Sequence, residues 1–165
     1  MSISMGQIIG IDCGLDGAIA ILSNKRIVEL VAMPTVQTGK RREIDIDILS
    51  AMFEQWAMDA DMAMIEDPGG HAPSAAGLRS MTYSFAIMKT LAVVYRIPFG
   101  AVMARKWQST FWKKPPGKYN TKAAALTAAE SIWPVQDWRR TARSKKAFDG
   151  FVDAALIAEY ARRIN

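Results

Sequence analysis

Three short apolar runs open the chain: Gln7 to Gly14, Gly17 to Ser23 and Arg26 to Met33. Gly14-Leu15-Asp16-Gly17 and Asn24-Lys25 separate them, and turns this short predict an antiparallel meander of three strands. A stretch of proline, glycine and basic residues, Pro34 to Arg42, leads to Asp45. Beyond it Ile48, Leu49, Met52, Phe53 and Trp56 recur at helical spacing, with Asp45 or Asp47 as the cap. Met62 to Glu66 reads as a short buried strand, Asp67 to Gly77 as a loop, and Leu78 to Arg96 as a core helix. Pro98 to Met103 supplies a further strand and Arg105 to Trp112 a short amphipathic helix. Pro115 and Pro116 keep Lys113 to Tyr119 irregular. Asn120 caps an alanine-rich helix, Thr121 to Trp133, which Pro134 ends. A basic connector, Gln136 to Lys146, leads into a last helix, Asp149 to Arg163.

The order of three strands, helix, strand, helix, strand and then helices predicts an α/β fold. Its mixed five-stranded sheet is flanked by helices on both faces, and a site is offered where the strands end. With 165 residues, no repeats and no long linker, the chain is expected to form a single domain over residues 1–165. No apolar run approaches the ~18 residues of a membrane span, and Met1 to Gln7 lacks the basic flank and apolar stretch of a secretory signal. A cytoplasmic protein is the expectation. One cysteine, Cys13, excludes an internal disulfide, and one histidine, His71, leaves no Cys/His set for structural zinc. Any bound metal must be held by carboxylates.

Charge adds a direction. Residues 1–104 carry 8 Lys and Arg against 11 Asp and Glu, whereas residues 105–165 carry 13 against 5. Lys113, Lys114, Lys118, Lys122, Arg139, Arg140, Arg143, Lys145 and Lys146 are interleaved with Trp112, Tyr119 and Trp138. A cationic segment of this kind suits a polyanion, because each phosphate it neutralises releases condensed counterions; the alternative is a solvated basic face, and about half of the nine are expected to touch the polyanion.

Four acids stand out against their surroundings. Asp12 follows Ile9-Gly10-Ile11 in the first strand, and Glu66 follows Met62-Ala63-Met64-Ile65 in another. An ionised carboxylate in an apolar strand costs several kcal/mol unless a cation or hydrogen-bond donors compensate it. Asp149 and Asp153 share one face at the start of the last helix, a mildly repulsive pair that a divalent cation would reverse. Helix capping is the plain alternative for Asp149. Hard oxygen ligands beside a basic surface suit Mg²⁺ or Mn²⁺ and phosphodiester hydrolysis. Asp67, next to Glu66, points to the opposite face of an extended strand, and His71 reads as an ordinary loop histidine.

Ile9-Gly10-Ile11-Asp12-Cys13-Gly14-Leu15-Asp16-Gly17-Ala18-Ile19-Ala20, Met64-Ile65-Glu66, Pro98-Phe99 ahead of Arg105-Lys106-Trp107-Gln108, and Phe148-Asp149-Gly150-Phe151-Val152-Asp153-Ala154-Ala155 together resemble RuvC-type Holliday junction resolvases, bacteriophage members especially. The resemblance covers nearly the whole chain and implies a ribonuclease H-like fold, a homodimer, and a metal-dependent endonuclease that cuts four-way DNA junctions in recombination or repair. It implies two Mg²⁺ or Mn²⁺ ions held by Asp12, Glu66, Asp149 and Asp153, and leaves open which of the last two is the closer ligand. It also places Pro68 to Phe85 near the junction centre, where Met81, Tyr83 or Phe85 would meet an unstacked base unless they pack in a helical core. Met81, Phe85, Met88, Leu91 and Tyr95 form a stripe that suits either a partner subunit or the chain's own sheet. Rival readings are a nuclease of the same fold acting on RNA:DNA hybrid or other branched DNA, and a DNA-binding module that does not cut. An ATPase of the actin and hexokinase group needs a second phosphate motif that is missing here.

Overall fold

The computed structural model describes residues 6–70 and 74–165. Its five-stranded sheet is built from β1 (Gln7–Asp12), β2 (Ala18–Ser23), β3 (Arg26–Ala32), β6 (Ala60–Asp67) and β7 (Phe99–Met103), in the order β3-β2-β1-β6-β7. The meander β1-β2-β3 is antiparallel, as its short turns predict; β6 and β7 are added in parallel beside β1. Asn24, at φ 57°, makes the left-handed turn between β2 and β3, a conformation asparagine tolerates better than most side chains.

Period-two alternation divides the sheet into two faces. Ile9, Ile11, Ile19, Ile21, Ala63 and Ile65 meet α1 (Ile46–Trp56) and α2 (Ala75–Val94). Ala18, Ala20, Leu22, Met64 and Val102 meet α3 (Ala104–Phe111), α4 (Thr121–Ile132) and α5 (Asp149–Ile164). Caps appear where side-chain oxygens permit: Asp45 Oδ1 accepts from Ile48 N at 3.0 Å and Asn120 Oδ1 from Ala123 N at 3.1 Å. Among the described residues no helix is long and apolar enough to cross a membrane.

Helix α5 is buried along most of its length and lies directly on β1. Gly10 makes that approach possible: a Cβ there would come within 2.2 Å of the Ala154 carbonyl oxygen and 2.5 Å of Ala158 N. Two backbones therefore touch, with only the small Ala158 Cβ beside the contact.

Two expectations need correction. The stretch after Met33 is not irregular: β4 (Thr35–Thr38) and β5 (Arg41–Ile44) form a separate antiparallel ribbon, reversing at Gly39 with φ 60°. The loop after Asp67 is shorter than read, because Ser74 caps α2 by accepting from Gly77 N at 3.0 Å. Of the two roles open to the α2 stripe, the structure shows the chain's own core: Met88 and Leu91 are buried against the sheet, and Phe85 and Tyr95 pack beside them.

Candidate metal and nucleic-acid site

Asp12 ends β1, and its register partner Ala18 belongs to the face covered by α5. Ile11 pairs with Ile65 in the parallel β1–β6 ladder, so the next residues, Asp12 and Glu66, lie level at the C-terminal ends of adjacent strands. Glu66 is also paired with Val102 of the same face. The glycine contact at Gly10 then brings the first turns of α5 over these strand ends, carrying Asp149 and Asp153. Gly150 completes the fit, since a Cβ on it would stand 3.0 Å from Asp16 O and from Gly17 C in the β1–β2 turn. Asp67 faces the other way and accepts from Gly69 N at 2.8 Å. His71 lies outside the described residues.

The electrostatics mark these acids as one cluster. Burial, followed by the charges of Glu66, Asp153 and Asp149, pushes the Asp12 carboxyl well above the usual range. Asp153 is pushed up to about 7 by burial and then by Glu66 and Asp149, with Lys122 opposing. Glu66 is raised by burial, and a hydrogen bond from Trp107 acts against the rise. Burial and neighbouring carboxylates disfavour the same charged form, which is the arrangement a divalent cation relieves.

Two of the acids have protein partners. Trp107 Nε1 donates to Glu66 Oε2 at 2.6 Å from a fully buried indole, and Lys122 Nζ makes an ion pair with Asp149. Asp149 does not cap its helix; Phe148 occupies the cap position without a side-chain bond. Among the described residues no three Asp, Glu, His or Cys side chains already stand in ligating geometry. The donors themselves fit Mg²⁺ or Mn²⁺: carboxylate oxygens only, with the Cys13 thiol turned into the opposite core and kept protonated, chiefly by burial.

All nine cationic residues named from the sequence are exposed. Lys122 is at the acids through Asp149, and Arg140 is nearby, its guanidinium 5.1 Å from the ring centroid of Phe148. Arg139 is held by Asp137, with Nε to Oδ1 at 2.9 Å and Nη2 to Oδ2 at 2.8 Å. Trp138 is no nucleic-acid platform, being buried edge-on against Trp133 at 5.9 Å between centroids. Trp112 is partly buried against Trp107 and donates to Tyr119 Oη at 3.4 Å. Trp107 is the site residue that sequence reasoning missed. Its only visible signal was a tryptophan amid polar neighbours in Arg105-Lys106-Trp107-Gln108, and its partner lies 41 positions away.

The strand order, the acid-bearing strand ends and the helices on both faces define a ribonuclease H-like fold. Among solved structures, the chain is similar to Thermus thermophilus RuvC in complex with a Holliday junction substrate, with a TM-score of 0.63 and 12% identity over 96% of each chain. A second T. thermophilus RuvC structure gives a TM-score of 0.57 and 10% identity, again over 96% of each chain. No protein-family model matches the chain, and no curated protein sequence does either.

Proposed function

We propose that the protein is a metal-dependent endonuclease that resolves four-way DNA junctions. The observation that carries this reading is the buried set of Asp12, Glu66 and Asp153 beside Asp149, whose mutual repulsion calls for divalent cations. The fold shared with a RuvC bound to a Holliday junction substrate supports the choice of DNA branch over other polyanions. Two Mg²⁺ or Mn²⁺ ions held by the four acids would lower the pKa of an attacking water and stabilise the leaving oxygen. Asp12 and Glu66 hold their oxygens on rigid strand ends, while Trp107 fixes the orientation of Glu66. Lys122 and Arg140 draw a phosphate towards the acids. Purified protein should nick a labelled four-way junction with Mg²⁺ and not with a chelator. Cleavage of RNA:DNA hybrid in preference to junction DNA would replace this reading by another nuclease of the same fold.

Trp107→Phe removes the indole donor and keeps an aromatic ring in the core. We expect roughly tenfold slower cleavage, the usual scale for losing a partner of a metal-binding side chain, with junction affinity unchanged. An unchanged single-turnover rate would show that Glu66 needs no such support. Double Ala replacement at Lys113/Lys114 or at Lys145/Lys146 is expected to weaken junction binding and to flatten its salt dependence by roughly one unit per lost phosphate contact. A parental slope in both would make the segment a solvated surface.

The working unit is proposed to be a two-fold dimer, because two symmetric cuts need two related active sites. The surface assigned to it is the outward face of the second half of α2, where Val93 and Val94 are exposed, in place of the stripe that packs inward. Sedimentation of the junction complex should give two protomers per junction; one protomer with uncoupled nicks would leave a monomeric nuclease.

A further inference from the structure

The β4–β5 ribbon lies outside the central sheet, and its last residue, Ile44, is its only buried one. A two-stranded ribbon is marginal by itself, so its position depends on what anchors it. Ile44 enters the core beside α1 and α2, Asp45 N donates to Pro34 O at 3.0 Å, and Arg42 Nη2 pairs with Asp16 Oδ1 at 2.6 Å. The last contact ties the ribbon to the turn that follows Asp12. Between the ribbon and the first half of α2 runs a groove of about 610 Å³, lined by Leu15, by Arg41, Arg42 and Glu43 from the ribbon and by Arg79 and Tyr83 from α2.

Its charge is unbalanced. Arg42 is neutralised by Asp16 and Glu43 also lines the groove, but among the described residues Arg41 and Arg79 have no carboxylate within ion-pair distance, and Lys40 adds a further exposed cation at the ribbon's tip, so cations still outnumber acids there. The same turn joins the groove to the acids: Leu15 lines the groove, while the backbone of Asp16 and Gly17 packs on Gly150, beside Asp149. The acids open on the α5 face of the strand ends, and the groove opens on the α2 face. A strand whose phosphate sits at the acids thus has Lys122 and Arg140 on one side and the groove on the other.

We propose that this groove is a second nucleic-acid site, holding the sugar-phosphate backbone of the strand as it continues away from the cleaved phosphate. Arg41 and Arg79 each take a phosphate, and Arg42 acts as a positioning residue that sets the ribbon against the β1–β2 turn. The contacts read backbone and not sequence. This inference rests on the DNA reading above.

The test is equilibrium binding of the full chain to a labelled four-way junction without divalent metal, over a range of salt concentrations. Arg41→Ala with Arg79→Ala should raise the apparent Kd and flatten the slope of log K against log salt by about two units. Arg41→Lys with Arg79→Lys should keep the parental slope, since both charges remain. Both positions are exposed, and an unchanged melting temperature establishes that the fold is intact. If the double Ala variant keeps the parental affinity and slope while Lys113→Ala with Lys114→Ala flattens it, DNA is bound elsewhere and the groove assignment is overturned. If the parent chain shows no salt-dependent binding at all, the DNA reading falls and takes the groove with it.

Discussion

Asp12→Asn is expected to reduce junction cleavage to background while leaving junction binding in place and making the metal-free protein more stable. The three effects have one origin. Asp12 is opposed by its surroundings, buried at a strand end and facing three other carboxylates. Asparagine keeps the volume and removes the charge, so the cluster loses a hard anionic ligand and part of its repulsion together. A gain on the order of 1–3 kcal/mol in urea denaturation is expected without metal. Glu66→Gln and Asp153→Asn should behave alike, with a smaller loss of cleavage for Asp149→Asn, whose side chain is more exposed and already paired with Lys122. Turnover at the parental rate by any two of the Asp12, Glu66 and Asp153 variants would remove the metal-site assignment; a loss of activity with lower metal-free stability would make these acids structural.

The second large effect concerns pH. Asp153 has its native pKa raised from 3.8 to about 7, so between those values the native state binds a proton that the unfolded state has released. Its contribution to stability is complete below pH 4 and is lost as pH rises towards 7, by at most about 1.4 kcal/mol per pH unit for one group. Asp12 and Glu66 are shifted in the same direction. Asp137 and Glu159 act oppositely and in a different window. Asp137 is lowered to about 2 by its bonds with Arg139, and Glu159 is lowered because hydrogen bonds from Arg162 and Arg163 outweigh its burial. Their contributions are lost only as pH falls into the acid range. Metal-free protein should therefore melt at progressively lower temperature from pH 4.5 to 7. Saturating Mg²⁺ should reverse most of that decline, since a ligand of the native state alone stabilises it. A melting temperature that rises steadily over this interval without metal would contradict a buried, mutually repelling cluster.

What the chain discloses in advance follows the strength of its local signals. The meander was readable because isoleucine-rich runs alternate with two-to-four-residue turns, and the acids because a charge in such a run is conspicuous. The ribbon was not, since Val36 is exposed and only Ile44 enters the core, leaving no alternation of buried and exposed positions to detect. Ser74 marked the start of α2, but the glycines and prolines before it obscured the cap. Trp138, interleaved with the cationic residues in sequence, is placed by tertiary structure against Trp133 in the core. The Trp107–Glu66 bond and the Arg42–Asp16 pair join residues 41 and 26 positions apart, a separation no local pattern encodes.

At Gly10 the carbonyl oxygen of Ala154 and the amide of Ala158 lean on bare backbone, without the compressible layer of side chains that usually separates a helix from a sheet. The spacing between the strand that carries Asp12 and the helix that carries Asp153 is consequently a property of two main chains. Repacking elsewhere in the core, for instance around Phe53 or Trp133, can move the stability of the molecule over a wide range without moving that spacing. Acid spacing and core composition are mechanically decoupled, so a stabilised variant obtained by core redesign should retain the spacing of its acids, provided position 10 stays glycine.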